Sequence, residues 1–156
     1  MGTLQPFIRV QAEDFDTAAE IKRVTAGNRG IGAVVTFSGL CRDEAGDLAA
    51  LEIEHYPGMA ETEISRIAGE ALTRWSLTGL TVIHRHGRIE PGENIVLVIA
   101  ASAHRQAAFE AASFLMDYLK NAAPFWKKQH LESGGESGWV EAKTRDLDAL
   151  KRWRRE

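Results

Sequence analysis

The spacing of apolar positions divides the chain into strands and helices before any chemistry is considered. Leu51, Ile53 and His55 alternate with Glu52 and Glu54 across Leu48–Tyr56, the period-two pattern of a strand with one wet face. Upstream, Ile31–Leu40 is rich in Val, Thr and Phe and bounded by glycines, so the two segments read as a hairpin joined by the acidic loop Asp43–Asp47. After Pro57-Gly58, residues Ala60, Ile64, Ile67, Ala68, Ala71 and Trp75 recur at three- and four-residue intervals, which predicts a helix with one buried stripe. Glu70 and Arg74 pair on its outer face. Leu80–Ile89 and Glu93–Ala101 predict a second strand pair turning at Pro91-Gly92. The longest unbroken apolar run, Ile95–Ala101, marks a central strand covered on both faces.

From Ala103 a long helix turns Ala108, Ala111, Ala112, Leu115 and Leu119 inward until Pro124 ends it. Pro6–Gln11 suits an edge strand, and Asp14 or Asp16 can cap a helix reaching about Ala26. The last third reads as a loop, a short strand near Gly138–Ala142 and a basic helical tail at about residues 145–156. Strand pairs with loops too short for parallel crossovers, interspersed with helices, imply an α+β fold: a mostly antiparallel sheet with packed helices, one compact domain over residues 1–156.

Composition narrows the function classes. At 156 residues, 44% hydrophobic and 26% charged, the chain falls in the ordinary soluble globular range. Its apolar runs fall far short of the ~20 residues that span a bilayer, so no membrane association is expected. A net charge of −3 argues against nucleic acid as the main partner and confines any anion site to a local cluster. The lone Cys41 excludes an intrachain disulfide and a zinc site built on cysteine pairs, and fits a reducing cytoplasm. Neither G-x-G-x-x-G nor G-x-x-x-x-G-K-[ST] occurs, which removes dehydrogenase-like and kinase-like readings.

Four groups of residues invite chemistry. In Ser102-Ala103-His104-Arg105 a strand runs into a helix whose free N–H groups attract anions, and an adjacent guanidinium grips phosphate; alternatively, Ser102 caps the helix and His104 and Arg105 are solvated. Lys120 closes that helix and Lys127 and Lys128 follow the Pro124 break, either as a general acid–base cluster or as cations favoured by the helix dipole. Arg42, past Gly39-Leu40-Cys41, is a substrate clamp or a loop arginine paired with Asp43 or Glu44. Cys41 is a nucleophile only in an electropositive, exposed setting, and otherwise a small buried hydrophobe. His84-x-His86 puts two imidazoles on one strand face without an obvious third ligand, so no metal is expected. The terminal Lys151-Arg152-Trp153-Arg154-Arg155 reads as a solvated or partner-docking tail.

The blocks Gly32–Arg42, Leu51–Met59, Val82–Arg85, Ser102–Arg105, Met116–Lys120, Ala123–Lys127 and Trp139–Ala142 together resemble the large, catalytic subunit family of molybdopterin synthases over nearly the whole chain. The resemblance implies an α+β enzyme subunit that forms a homodimer within a heterotetramer. Each copy binds a small ubiquitin-like sulfur carrier ending in Gly-Gly, whose C-terminal thiocarboxylate gives sulfur to cyclic pyranopterin monophosphate, making the dithiolene of molybdopterin without a cofactor of its own. It places the key lysines at Lys120 and Lys127 and substrate contacts at Arg42, His104 and Arg105, with Leu40, Cys41, Lys128 and Gln129 in the segments lining the pocket. Leu40 stands where the family often has a basic residue, which shifts weight to Arg42.

His104 and Lys120 are sixteen positions apart, ~24 Å along a straight helix, too far for one small pterin. His104 and Arg105 are therefore expected to complete the neighbouring subunit's pocket across a two-fold interface. The competing classes are a non-catalytic module that binds a phosphorylated metabolite or a ubiquitin-like protein, and an RNA-binding domain using the basic C-terminus.

Overall fold

A computed structural model describes residues 4–121, 123–140 and 148–154. In chain order the elements are β1 (Phe7–Gln11), α1 (Thr17–Thr25), β2 (Ala33–Leu40), β3 (Leu48–His55), α2 (Met59–Arg74), β4 (Gly79–Arg85), β5 (Gly87–Ile89), β6 (Asn94–Ser102), α3 (Arg105–Leu119), β7 (Phe125–Leu131) and a closing 3₁₀ turn, Leu150–Trp153. The uninterrupted apolar run lies in β6, and its burial on both faces follows from its neighbours. β6 sits inside a four-stranded sheet of order β1-β4-β6-β2, antiparallel to β4 and β2, while β1 adds a parallel edge to β4.

Helices α2 and α3 cover one face of that sheet, where Ile64, Ile67, Phe114 and Leu115 meet Leu80, Val82, Val96 and Val98. On the other face Ile83, Leu97 and Ile99 are covered by Phe15, Ile21 and Val24 from α1 and its approach. The Asp16 carboxylate caps α1, accepting from the Ala19 N–H at 3.1 Å. The α+β expectation holds: two largely antiparallel sheets with helices packed on them.

The expected hairpin of Ile31–Leu40 with Leu48–Tyr56 does not form. β2 pairs with β6, whereas β3 leaves to build a second sheet of order β5-β3-β7. Alternation reports which face of a strand is wet and says nothing about its partner, so both pairings satisfied the same pattern. The segment Leu80–Ile89 likewise divides: β4 joins the large sheet and β5 the small one. Phe125–Leu131, expected as loop, is a seven-residue strand running antiparallel to β3, with Ile53 opposite Lys127.

The short strand expected near Gly138–Ala142 is not seen among the described residues. Residues 138–140 are irregular, although the Val140 N–H donates to the Lys127 carbonyl at 2.7 Å, and residues 141 and 142 lie outside the described residues. Ser102 does not cap α3; it belongs to β6 and its hydroxyl donates to the Ser76 carbonyl at 2.7 Å.

The described part of the basic tail is docked onto its own domain. The Trp153 ring packs edge-on against Trp75 at 5.7 Å and Phe114 at 5.5 Å. Its indole N–H donates to the Asp117 carboxylate at 2.5 Å, and Arg152 reaches the same oxygen at 2.6 Å. The Arg74 guanidinium donates to the Trp153 carbonyl at 2.8 Å. These contacts seat the Trp153 ring on the domain and tie the exposed Arg152 to it through Asp117. Trp153→Ala should lower the unfolding free energy by about 2 kcal/mol, and Asp117→Asn by about 1 kcal/mol, read as a shift of the urea midpoint at unchanged m.

Candidate functional site

Lys120 stands where α3 stops, its N–H still donating to the Met116 carbonyl at 3.1 Å. An ammonium there meets the negative end of the helix dipole. The chain then reverses through Pro124 and enters β7. The period of two puts Phe125 and Lys127 on the face shared with Leu51 and Ile53, and Trp126 and Lys128 on the other. Lys127 is thereby turned back beneath the end of α3, and the two lysines line one cavity of about 70 Å³.

Its walls include Phe37 and Leu40 from β2, His84 from β4 and Met116 from α3. Gly39 permits this close wall, since a Cβ there would lie 2.7 Å from Val96 Cγ1. Leu40 is exposed at the rim, Lys120 is exposed, and Lys127 is half-buried. A small cavity with apolar walls and two amines from separate elements is suited to hold a compact anion where little water screens it.

His84 is a lining residue absent from the expected site; its signals in the sequence are the His84-x-His86 pair and its place in the Val82–Arg85 block. The ring is 5% exposed and stacks flat on Phe125, with centroids 3.8 Å apart and planes 13° from parallel. Nδ1 lies 2.8 Å from the Arg85 carbonyl oxygen, which can only accept, so Nδ1 carries the proton of a neutral imidazole. Burial, and then the positive charge of Lys127, pushes its pKa down to about 3. His86 faces elsewhere, its ring 4.2 Å from that of His55. Among the described residues no three His, Cys, Asp or Glu side chains gather as a metal site.

The remaining candidates divide. Arg42 does not line the cavity; it is exposed on the β2–β3 loop and paired with Glu44, as the loop-arginine alternative had it. Cys41 is buried among Leu48, Ile53 and Ile89, with burial pushing its thiol pKa up, the setting of a small buried hydrophobe. Lys128 does not line the cavity either, because strand alternation turns it to the outer face. There it pairs with Glu52 at 3.4 Å and Glu136 at 3.6 Å. His130 donates to the same Glu52 carboxylate at 2.9 Å, and His130 and Lys128 together hold that carboxyl below its usual range. Gln129 shares the Lys127 face but lies one step beyond the cavity.

His104 is the N-cap residue of α3 and Arg105 its first residue, both exposed. Fifteen helical residues, ~22 Å, separate them from the Lys120 end, so they do not converge with the two lysines within one chain.

Fold and site together define an α+β protein with a cationic, apolar-walled receptacle between the end of a helix and a reversed strand. The family model described as MoaE protein matches residues 10–122. A Mesorhizobium japonicum protein named molybdopterin synthase catalytic subunit is 70% identical over 153 residues, covering 98% of this chain and 96% of that one. The structure of the MoaE protein from Burkholderia ambifaria superposes with a TM-score of 0.82 at 45% identity, covering 96% and 98% of the two chains. A chain of the Staphylococcus aureus molybdopterin synthase structure gives 0.75 at 30% identity, covering 90% and 99%. The chain belongs to the MoaE protein family.

His84 also makes stability depend on acid. Its folded-state pKa of about 3 lies below the ordinary value of 6.5, so its contribution is whole above about pH 6.5 and is lost as the pH falls toward 3, where the unfolded chain binds the proton first. In urea unfolding at stepped pH, His84→Asn should show a shallower loss of stability between pH 6.5 and 4 than the unaltered chain.

Proposed function

We propose that this chain is the large, catalytic subunit of a molybdopterin synthase, and that Lys120 and Lys127 do its chemistry. The observation that carries the reading is the meeting of these two amines, from the end of α3 and from β7, on one cavity. The donor is the C-terminal thiocarboxylate of a small ubiquitin-like carrier ending in Gly-Gly, and the acceptor is cyclic pyranopterin monophosphate. Both are anionic, as is each oxyanion formed on the way, and a preorganised pair of ammonium groups stabilises all three.

Lys120, exposed at the mouth, holds the carrier's reactive terminus and orients its sulfur toward the pterin. The sulfur bonds to a carbon of the pterin side chain as that carbon's bond to oxygen breaks, the oxygen leaving on the phosphate or, with a proton from Lys127, as water. Water then cleaves the carrier's acyl carbon–sulfur bond, returning a carboxylate and leaving sulfur on the pterin, and a second carrier repeats the transfer. Lys127, half-buried and deeper, supplies and recovers protons at the pterin. The apolar rim residue Leu40 adds no charge, and Arg42 swings from Glu44 to the substrate when it binds.

Exposed His104 and Arg105, at the far end of α3, serve the pocket of a second copy in a homodimer, and each copy carries one carrier in the assembled heterotetramer. A reducing cytoplasm suits a thiocarboxylate donor.

With purified chain, thiocarboxylated carrier and cyclic pyranopterin monophosphate, Lys120→Ala and Lys127→Ala should each cut dithiolene formation about 10²- to 10³-fold. Full product from a folded Lys120→Ala protein refutes its assignment. Mixing Lys120→Ala with Arg105→Ala chains should restore about a quarter of the unaltered activity, because half the dimers then hold one intact site of two. No recovery on mixing places Arg105 in its own chain's pocket, and an Arg105→Ala chain that is fully active by itself places it outside the reaction.

A further inference from the structure

His84 lines the cavity with both lysines, yet the reaction above gives it no task. Its placement is tightly constrained. The ring is clamped flat against Phe125, which lies on β7 two residues before Lys127 and on the same face. Nδ1–H is committed to the Arg85 carbonyl at 2.8 Å, and Arg85 is itself held by the Ala12 and Asn94 carbonyls at 3.1 and 2.9 Å. The nitrogen left for the cavity is Nε2, which in this tautomer is a lone-pair acceptor. Both amines that share the cavity are donors only.

We propose that His84 is a positioning residue for Lys127: its Nε2, held in place by the Phe125 stack and the Arg85 bond, accepts a hydrogen bond from the Lys127 ammonium and aims that cation into the cavity. The inference rests on the molybdopterin synthase reading for its kinetic consequence, whereas the proposed hydrogen bond is tested in the free chain.

The acid–base character of the ring supports a role as acceptor. With a pKa near 3 it neither takes a proton nor carries charge at neutral pH, so it does not repel the amine and does not compete as a general base. Among charged neighbours Lys127 weighs on the ring most, ahead of Lys120 and His55. The titratable groups facing this pair are thus Lys120 from the end of α3, His55 from β3 and Cys41 beyond β2, whose thiol also feels Lys127. A hydrogen bond from the ammonium to a neutral acceptor favours the charged form of the lysine, so loss of the acceptor should lower the lysine pKa.

Three variants separate shape from hydrogen bonding. His84→Phe keeps the stack and removes both nitrogens. His84→Asn keeps a donor for the Arg85 carbonyl and removes the distal acceptor. His84→Gln places an oxygen near the Nε2 position. In the free chain, with ¹³C-labelled lysine followed by NMR, the Lys127 side chain should titrate about 0.5 to 1 pH unit lower in the Phe and Asn variants than in the unaltered chain, and at the unaltered chain's midpoint in the Gln variant.

In the complete assay, the Phe and Asn variants should lose about tenfold to a hundredfold in kcat with the KM for carrier little changed, the range for a lost hydrogen bond to a charged group, and Gln should recover most of it. An unmoved Lys127 titration in either folded variant, Phe or Asn, overturns the proposal. So does a shift of equal size in the Gln variant. Absence of product from the unaltered chain defeats the molybdopterin synthase reading and leaves the NMR comparison to decide His84.

Discussion

The site depends on the antiparallel pairing of β7 with β3. Without it Lys127 would hang on a connection after Pro124, and Phe125 would have no fixed position over His84. The ladder from Leu48–Leu131 to His55–Phe125 fixes register, and register in a two-faced strand decides which side chains enter the cavity. Slipping by one residue would exchange Lys127 for Lys128 and turn the exposed Trp126 ring inward. The outer-face network of Glu52, Lys128, His130 and Glu136 and the inner-face stack of Phe125 on His84 both fit one register only.

Around this ladder the rest of the fold acts as a frame. Three layers, α1, the four-stranded sheet and the α2–α3 pair, bury β6 from Val96 to Ser102 and so hold the ends of β2, β4 and α3 that supply the cavity's other walls. The docking of Trp153 against Trp75, Phe114 and Asp117 fastens the chain's end to the helix whose last turn presents Lys120. Stability and the candidate site therefore meet in α3: its buried stripe belongs to the core, and its last turn leads into Lys120 at the cavity.

Charge is distributed in the same economical way. The protein is acidic overall, yet two amines meet at a cavity whose nearest titratable wall, His84, is kept neutral by its burial. A charged imidazole there would add a third positive group and raise the electrostatic cost of keeping both lysines protonated. Outside the cavity, the other basic side chains of the neighbourhood are neutralised locally, Lys128 by Glu52 and Glu136 and Arg42 by Glu44.

Helix stripes, the central apolar strand and the α+β class were legible in the amino-acid order, because burial imposes periodicity on helices and unbroken apolarity on a doubly covered strand. Resemblance over almost the whole chain supplied the chemical reading. Strand partnership was not legible: β2 and β3 alternate correctly for the hairpin they do not form, since a face pattern is blind to what lies alongside. Nor was β7, whose Phe-Trp-Lys-Lys-Gln-His-Leu run shows no apolar alternation, because one face meets a polar network and the other a cationic cavity. The outward turn of Lys128 and the neutral, clamped state of His84 each come from contacts between segments far apart in sequence. Local order sets which residues are available; long-range packing sets which of them face one another.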